Sequence, residues 1–174
     1  MQDLRYPIGR FTAPEVVTPE HRQRWIEDIA AAPSALRAVV QDLTDPQLDT
    51  PYRPEGWTVR QVVHHLPDSH MNSYIRYRLA LTEHEPTIKP YHEHLWAELS
   101  DARVSPAEIS LVLLASLHQR WVTLLRSMSE VEFQLRLIHP ESGSMNLDKM
   151  TGLYAWHGKH HVAHVQALRD RMGW

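Results

Sequence analysis

The chain has 174 residues, 43% of them hydrophobic, which suits one domain built on a single core. Net charge is −3 with histidine neutral, no block of Lys and Arg marks a nucleic-acid binder, and no apolar run nears the ~20 residues that span a bilayer. With no signal-like start either, the expectation is a soluble, cytoplasmic protein with no nucleic-acid or membrane partner. The absence of cysteine excludes disulfides, thiolate ligands and a cysteine nucleophile, so any metal site must use His, Asp, Glu and water; histidine is abundant, with 13 copies.

Residues 1–18 carry Pro7, Gly9 and Pro14 without helical period and read as an extended arm laid over the body of a single domain, 1–174. Thr18 can cap a first helix with Pro19 at its first position, after which Trp25, Ile29, Leu36, Val39, Val40 and Leu43 recur at helical spacing. Pro33 is expected to kink or divide it.

Turn signals fill 44–57. Thr58 or Gly56 then opens a second helix running to about Thr82, with a bend expected at Pro67. Residues 83–103 form a long connection with a short helix around 93–99, the kind of segment that is often a lid or a crossover. Ser105, Pro106 and Glu108 read as cap, first position and capping-box acid of a third long helix, Ala107 to about Met128, burying Ile109, Val112, Leu113, Leu117, Trp121, Leu124 and Leu125. Phe133 to Ile138 is a short strand or a loop, and Leu147 to Met172 is the last long helix. Four long amphipathic helices with long connections specify an all-α bundle.

Four histidines fall within residues 157–164. At about 100° per residue, His157 and His161 lie in the middle of an apolar stripe made by Met150, Tyr154, Val165, Leu168 and Met172; His164 is at its margin and His160 farther out. One inward histidine is ordinarily hydrogen-bonded packing. Two on consecutive turns point to a divalent metal, because each buried ring must find partners for both nitrogens. On the second helix, periodicity favours His70 as a further ligand, puts His65 on the flank of the buried face and His64 almost opposite, and leaves the choice open. His84, His92 and His94 read as exposed loop residues.

The stretches Gly56 to Leu66, Asp68 to Arg76, Ile88-Lys89-Pro90-Tyr91 and Leu153 to His157 with His160-His161 resemble the DinB-like superfamily, and within it the YfiT branch of metal-dependent hydrolases that includes bacillithiol transferase. The resemblance covers nearly the whole chain. It implies a four-helix bundle, a homodimer, and a metal triad of His65, His157 and His161. Pro67 departs from the pattern, since relatives more often carry a small helix former there.

Three neutral histidines leave positions on one Zn²⁺ ion per chain, or Ni²⁺, for water or a small-molecule substrate. Hydrolysis of a small electrophile and transfer of a low-molecular-weight thiol both follow from such a centre. Asp68 is the candidate general base, Asn72 comes next along that face, and Arg76 could hold a substrate carboxylate. The competing reading is a non-catalytic metal-binding or stress-related helical module, its metal closed off by a fourth ligand such as His70 or Asp68.

Overall fold

The structure is a computed structural model and describes residues 3–174. Its elements in chain order are α1 (Pro19–Val40), α2 (Asp45–Leu48), α3 (Val59–Thr82), α4 (Glu93–Trp96), α5 (Ser100–Val104), α6 (Ala107–Ser127), α7 (Glu130–Phe133), β1 (Arg136–His139), β2 (Gly143–Asn146) and α8 (Leu147–Met172). The four long helices α1, α3, α6 and α8 form the bundle expected from the sequence. Among the described residues no helix is long and apolar enough to cross a membrane.

The ends of these helices follow local chemistry. Thr18 accepts from the backbone N–H of His21 and Thr58 from that of Gln61, each completing a reciprocal capping box, and Asn146 caps α8 through the N–H of Lys149. Gly173 ends α8 at φ 70°, a left-handed position that glycine reaches without strain. Two expectations are corrected. Pro33 does not divide α1, which runs unbroken through it, and α3 likewise continues through Pro67. The cap of α6 is Pro106 and not Ser105, because the Ser105 carbonyl is turned to accept from Arg60 and His64, while Glu108 pairs with Arg37.

Around the bundle the order is α1, α6, α3, α8, so α1 and α3 stand diagonally. Arg22 meets Asp148 and Asp42 meets Arg169, so α1 and α8 run parallel; His64 meets Ser110 and His70 meets His118, so α3 and α6 do too. Parallel neighbours cannot be joined by a tight turn. The connection from α3 to α6 must return along a helix ~36 Å long, which explains the length of residues 83–106 and their short helices α4 and α5. The last crossover carries the β1–β2 hairpin, paired Arg136 with Asn146 through His139 with Gly143, and Ile88 bonds to Ile138 to tie the two connections together.

The apolar core falls into two clusters. One holds Ile29, Tyr77, Trp121, Leu125, Leu147, Met150 and Tyr154; the other holds Leu36, Val62, Leu66, Leu114, Val165 and Leu168. Between them lie His70 on α3, His118 on α6, and His157 and His161 on α8, with His65 beside Leu66 at the border of the second cluster. A layer of imidazoles therefore crosses the interior. Residues 3–18 run against α8, held where Trp156 Nε1 donates to the Gly9 carbonyl and His164 Nε2 donates to that of Arg5.

The inward face of α6 differs from the one expected. Trp121 and Leu125 are buried as anticipated, but Ile109, Val112 and Leu113 are exposed, and Leu111, Leu114 and His118 point inward instead. Apolar residues sit on several faces of this helix, so their spacing does not single out one. Met172 at the end of α8 is likewise 52% exposed and outside the buried stripe.

Candidate metal centre

His65 projects from α3 toward α8, where His157 and His161 occupy consecutive turns. One ring nitrogen from each lies within 4.8 Å of the others, and the group contains neither His70 nor Asp68. The Nε2 atoms of His65 and His157 are 3.3 Å apart. Two nitrogens bound at ~2.0–2.1 Å to one tetrahedral ion stand about 3.3 Å apart, so this pair already has the separation of co-ligands. His161 meets both rings edge-on, and its Nδ1 is buried with no hydrogen-bond partner among the described residues. The donor set fits a borderline divalent ion.

Electrostatics supports the same use. Burial lowers His65 to about 4 and holds His157 and His161 well below their ordinary value, with their neighbours' positive forms adding to the effect. All three are therefore neutral at pH 7, the state in which imidazole offers a lone pair. Trp57, in the loop before α3, leans on His65 with ring centroids 4.7 Å apart and stacks toward His161 at 6.4 Å, walling the group with a large apolar ring. Beside His161 a cleft of about 350 Å³ opens between the arm and residues 52–57, lined by Tyr6, Tyr52, Arg53, Trp57, His160 and His164.

Asp68 stands one turn beyond His65. Burial, then the nearby Asp101, raises its carboxyl to about 6. Tyr91, from the long crossover, meets Ser69 and is itself raised to about 12, chiefly by burial. Asn72 donates its side-chain amide to the Asp68 carbonyl and is thereby turned along its own helix. Arg76 is set apart from the three rings: it reaches the Tyr154 hydroxyl at 3.5 Å and lines a small pocket with Leu137, His139 and Met150.

The other histidines have definite places. His64, assigned by periodicity to the outer face of α3, is buried against α6, with Nδ1 2.7 Å from Ser110 Oγ and Nε2 3.1 Å from the Ser105 carbonyl. His160, expected farther out, is covered by the arm and sits between Trp156 and His164. His70 is fully buried, as its phase requires, but both nitrogens are engaged, by His118 and by His157. Sequence reasoning passed over His118. The clue was its position in the 111, 114, 118, 121, 125 series of α6, a lone imidazole inside an apolar stripe.

Parallel helix pairs around a slab of imidazoles, with three of them converging, define a helical-bundle protein with a candidate metal centre. The chain belongs to the DinB superfamily, whose family model matches residues 28–165. Over all 174 residues, covering 100% of both chains, it is 55% identical to proteins of Bacillus mycoides strain KBAB4 and Bacillus thuringiensis subsp. konkukian strain 97-27, each named "putative metal-dependent hydrolase". The solved structure of YfiT from Bacillus subtilis, described as "a probable metal-dependent hydrolase with an unusual four-helix bundle topology", matches with a TM-score of 0.96 over 98% of each chain at 48% identity. The family resemblance and the bundle read from the sequence are both borne out.

Proposed function

We propose that this chain is a metal-dependent hydrolase in which His65, His157 and His161 hold one divalent ion, Zn²⁺ in the first instance and Ni²⁺ as the alternative. The observation that carries the reading is the convergence of three neutral imidazole nitrogens, two of them 3.3 Å apart, with no fourth side-chain ligand grouped with them among the described residues. That leaves the centre open, as catalysis requires. When bound, such an ion lowers the pKa of a coordinated water toward ~7 and polarises a substrate oxygen.

The protein's own residues supply the rest. Asp68, with its carboxyl raised to about 6, can accept a proton near neutrality and is the proposed general base. The Asn72 amide, bonded to the Asp68 carbonyl, stiffens that turn of α3. Trp57 excludes water from one side, and Arg53 on the cleft rim favours an anionic substrate. Arg76 is proposed for a substrate carboxylate only through a longer reach past Tyr154. The same donor set accommodates transfer of a low-molecular-weight thiol; lacking cysteine, the chain would take that thiol as a substrate.

The test is bound metal per chain by elemental analysis of untagged protein, for the parent and for His65→Ala, His157→Ala, His161→Ala and His70→Ala, followed by hydrolysis and thiol-transfer screens of the loaded parent. About one ion in the parent, lost in the three triad variants, is the expected result. Metal retained in His157→Ala, or none after reconstitution of the parent, overturns the proposal.

A further inference from the structure

The fully buried His70 and His118 are not grouped with the three converging histidines, yet they connect to them, and the connection begins at a proline. In a helix the carbonyl of residue 29 is paired by the N–H of residue 33. Residue 33 is Pro33, which has no N–H and whose ring crowds that carbonyl, so the Ile29 oxygen lacks its helical donor. His118 Nδ1 lies 2.6 Å from it.

A carbonyl oxygen can only accept, so His118 Nδ1 carries the hydrogen, and in an uncharged ring Nε2 is then the acceptor. That Nε2 lies 2.7 Å from His70 Nδ1, which must donate. His70 Nε2 is left as an acceptor, 3.0 Å from His157 Nδ1, which must donate in turn. The lone pair of His157 is thereby on Nε2, the atom 3.3 Å from His65 Nε2. Each ring is uncharged because it lies in a layer closed above and below by apolar side chains, where an imidazolium is disfavoured.

We infer that Ile29, His118 and His70 form a one-way hydrogen-bond chain that fixes the tautomer of His157 and aims its Nε2 lone pair into the triad, so that His118 and His70 are positioning residues of the centre. The consequence for metal binding rests on the function proposed above; the tautomers do not. The direction of the chain is set by the Pro33 lesion at its far end, on a helix that offers no ligand. A ligand whose second nitrogen is fixed in this way keeps its orientation and basicity, which is why such outer partners affect metal affinity.

Histidine tautomers in the metal-free, ¹⁵N-labelled protein can be read from long-range ¹H–¹⁵N correlations at pH 7.5. His118, His70 and His157 are all expected as the Nδ1–H form; an Nε2–H form, or a mixture, at any of the three overturns the inference whether or not metal binds. His118→Gln retains an amide oxygen for His70 and an amide N–H for Ile29, and His118→Leu retains neither. Chelator competition with Zn²⁺ should give near-parental affinity for His118→Gln and a loss of roughly 10- to 100-fold for His118→Leu, with His157 becoming a tautomer mixture. Equal affinities and an unchanged His157 in both variants would refute the positioning role. Should the leucine variant fail to fold, the parent's tautomers together with His118→Gln decide: a His157 that loses the Nδ1–H form in His118→Gln counts against the chain, and one that keeps it counts for it.

Discussion

Acidification of the metal-free protein tests the histidine layer directly. In the unfolded chain imidazole titrates near 6.5, whereas burial brings His65 and His118 down to about 4. A folded pKa below the unfolded one means that stability is complete above pH 6.5 and is lost as pH falls toward 4, because the unfolded state takes up the protons first. Each of these two rings then removes about 1.5 kcal/mol by pH 5.5 and about 2.5 kcal/mol by pH 4.5. His70, His157 and His161 are shifted the same way and add to the loss. Asp68 acts in the opposite sense: its raised carboxyl costs stability above pH 6 and returns about 1 kcal/mol on acidification, once its partial exposure is discounted. The net effect is destabilising. For a domain of this size ~1 kcal/mol shifts the melting temperature by about 2–4 °C, so thermal melts followed by circular dichroism in EDTA should fall by at least about 4 °C at pH 5.5 and about 8 °C at pH 4.5. A melting temperature that is flat or rising from pH 7.5 to 4.5 would refute the claim that these rings are buried and neutral.

Other consequences concern single residues. The buried Asp148 is gripped by Arg22 at 2.7 and 3.0 Å and by Gln134 at 2.6 Å, so Arg22→Met should cost about 3–5 kcal/mol in urea unfolding, and Arg22→Met combined with Asp148→Leu should cost less than the single change. A double variant less stable than Arg22→Met would contradict this. A Cβ at Gly152 would stand 2.9 Å from both Phe11 and Trp25, so Gly152→Ala should lower stability by about 1–3 kcal/mol and expose the arm to protease; cleavage at the parental rate would show that the arm does not pack there. Asp68→Asn should keep the metal and lose roughly 10²- to 10⁴-fold in turnover of any substrate found, and a variant with full turnover rules out Asp68 as the base.

Much of the frame is determined within single segments. Thr18 with Pro19, Thr58 with Gln61, and Asn146 before Leu147 each satisfy the first N–H groups of a long helix locally, so the starts of α1, α3 and α8 were legible without tertiary information. The inward phase of His157 and His161 is also a property of one helix. What a single helix cannot show is which neighbour covers it. His160 and His164 are buried because a distant arm and residues 52–57 lie over them, and His64 is buried because α6 brings Ser110 to its Nδ1. The face of α6 was misread for the same reason: its apolar residues point several ways, and the polar Ser110 and His118 face inward where histidines of α3 and the Ile29 carbonyl of α1 receive them.

The two prolines make the division plain. By local rules Pro33 should kink or divide α1 and Pro67 should bend α3, since each removes a hydrogen bond that the same helix cannot replace. α1 nevertheless continues, and at Pro33 the freed Ile29 carbonyl is taken up by His118 from a helix nearly ninety residues away in the chain. The sequence by itself determined four helices, the starts of α1, α3 and α8, and an inward pair of histidines, because those depend on hydrogen bonds and periodicity within a few turns. Periodicity left His65 and His70 open and the family resemblance pointed to His65; the physical reason lies in the tertiary structure, where the packing of α3 against both α6 and α8 turns the His65 ring toward the pair and commits both nitrogens of His70 to histidine partners.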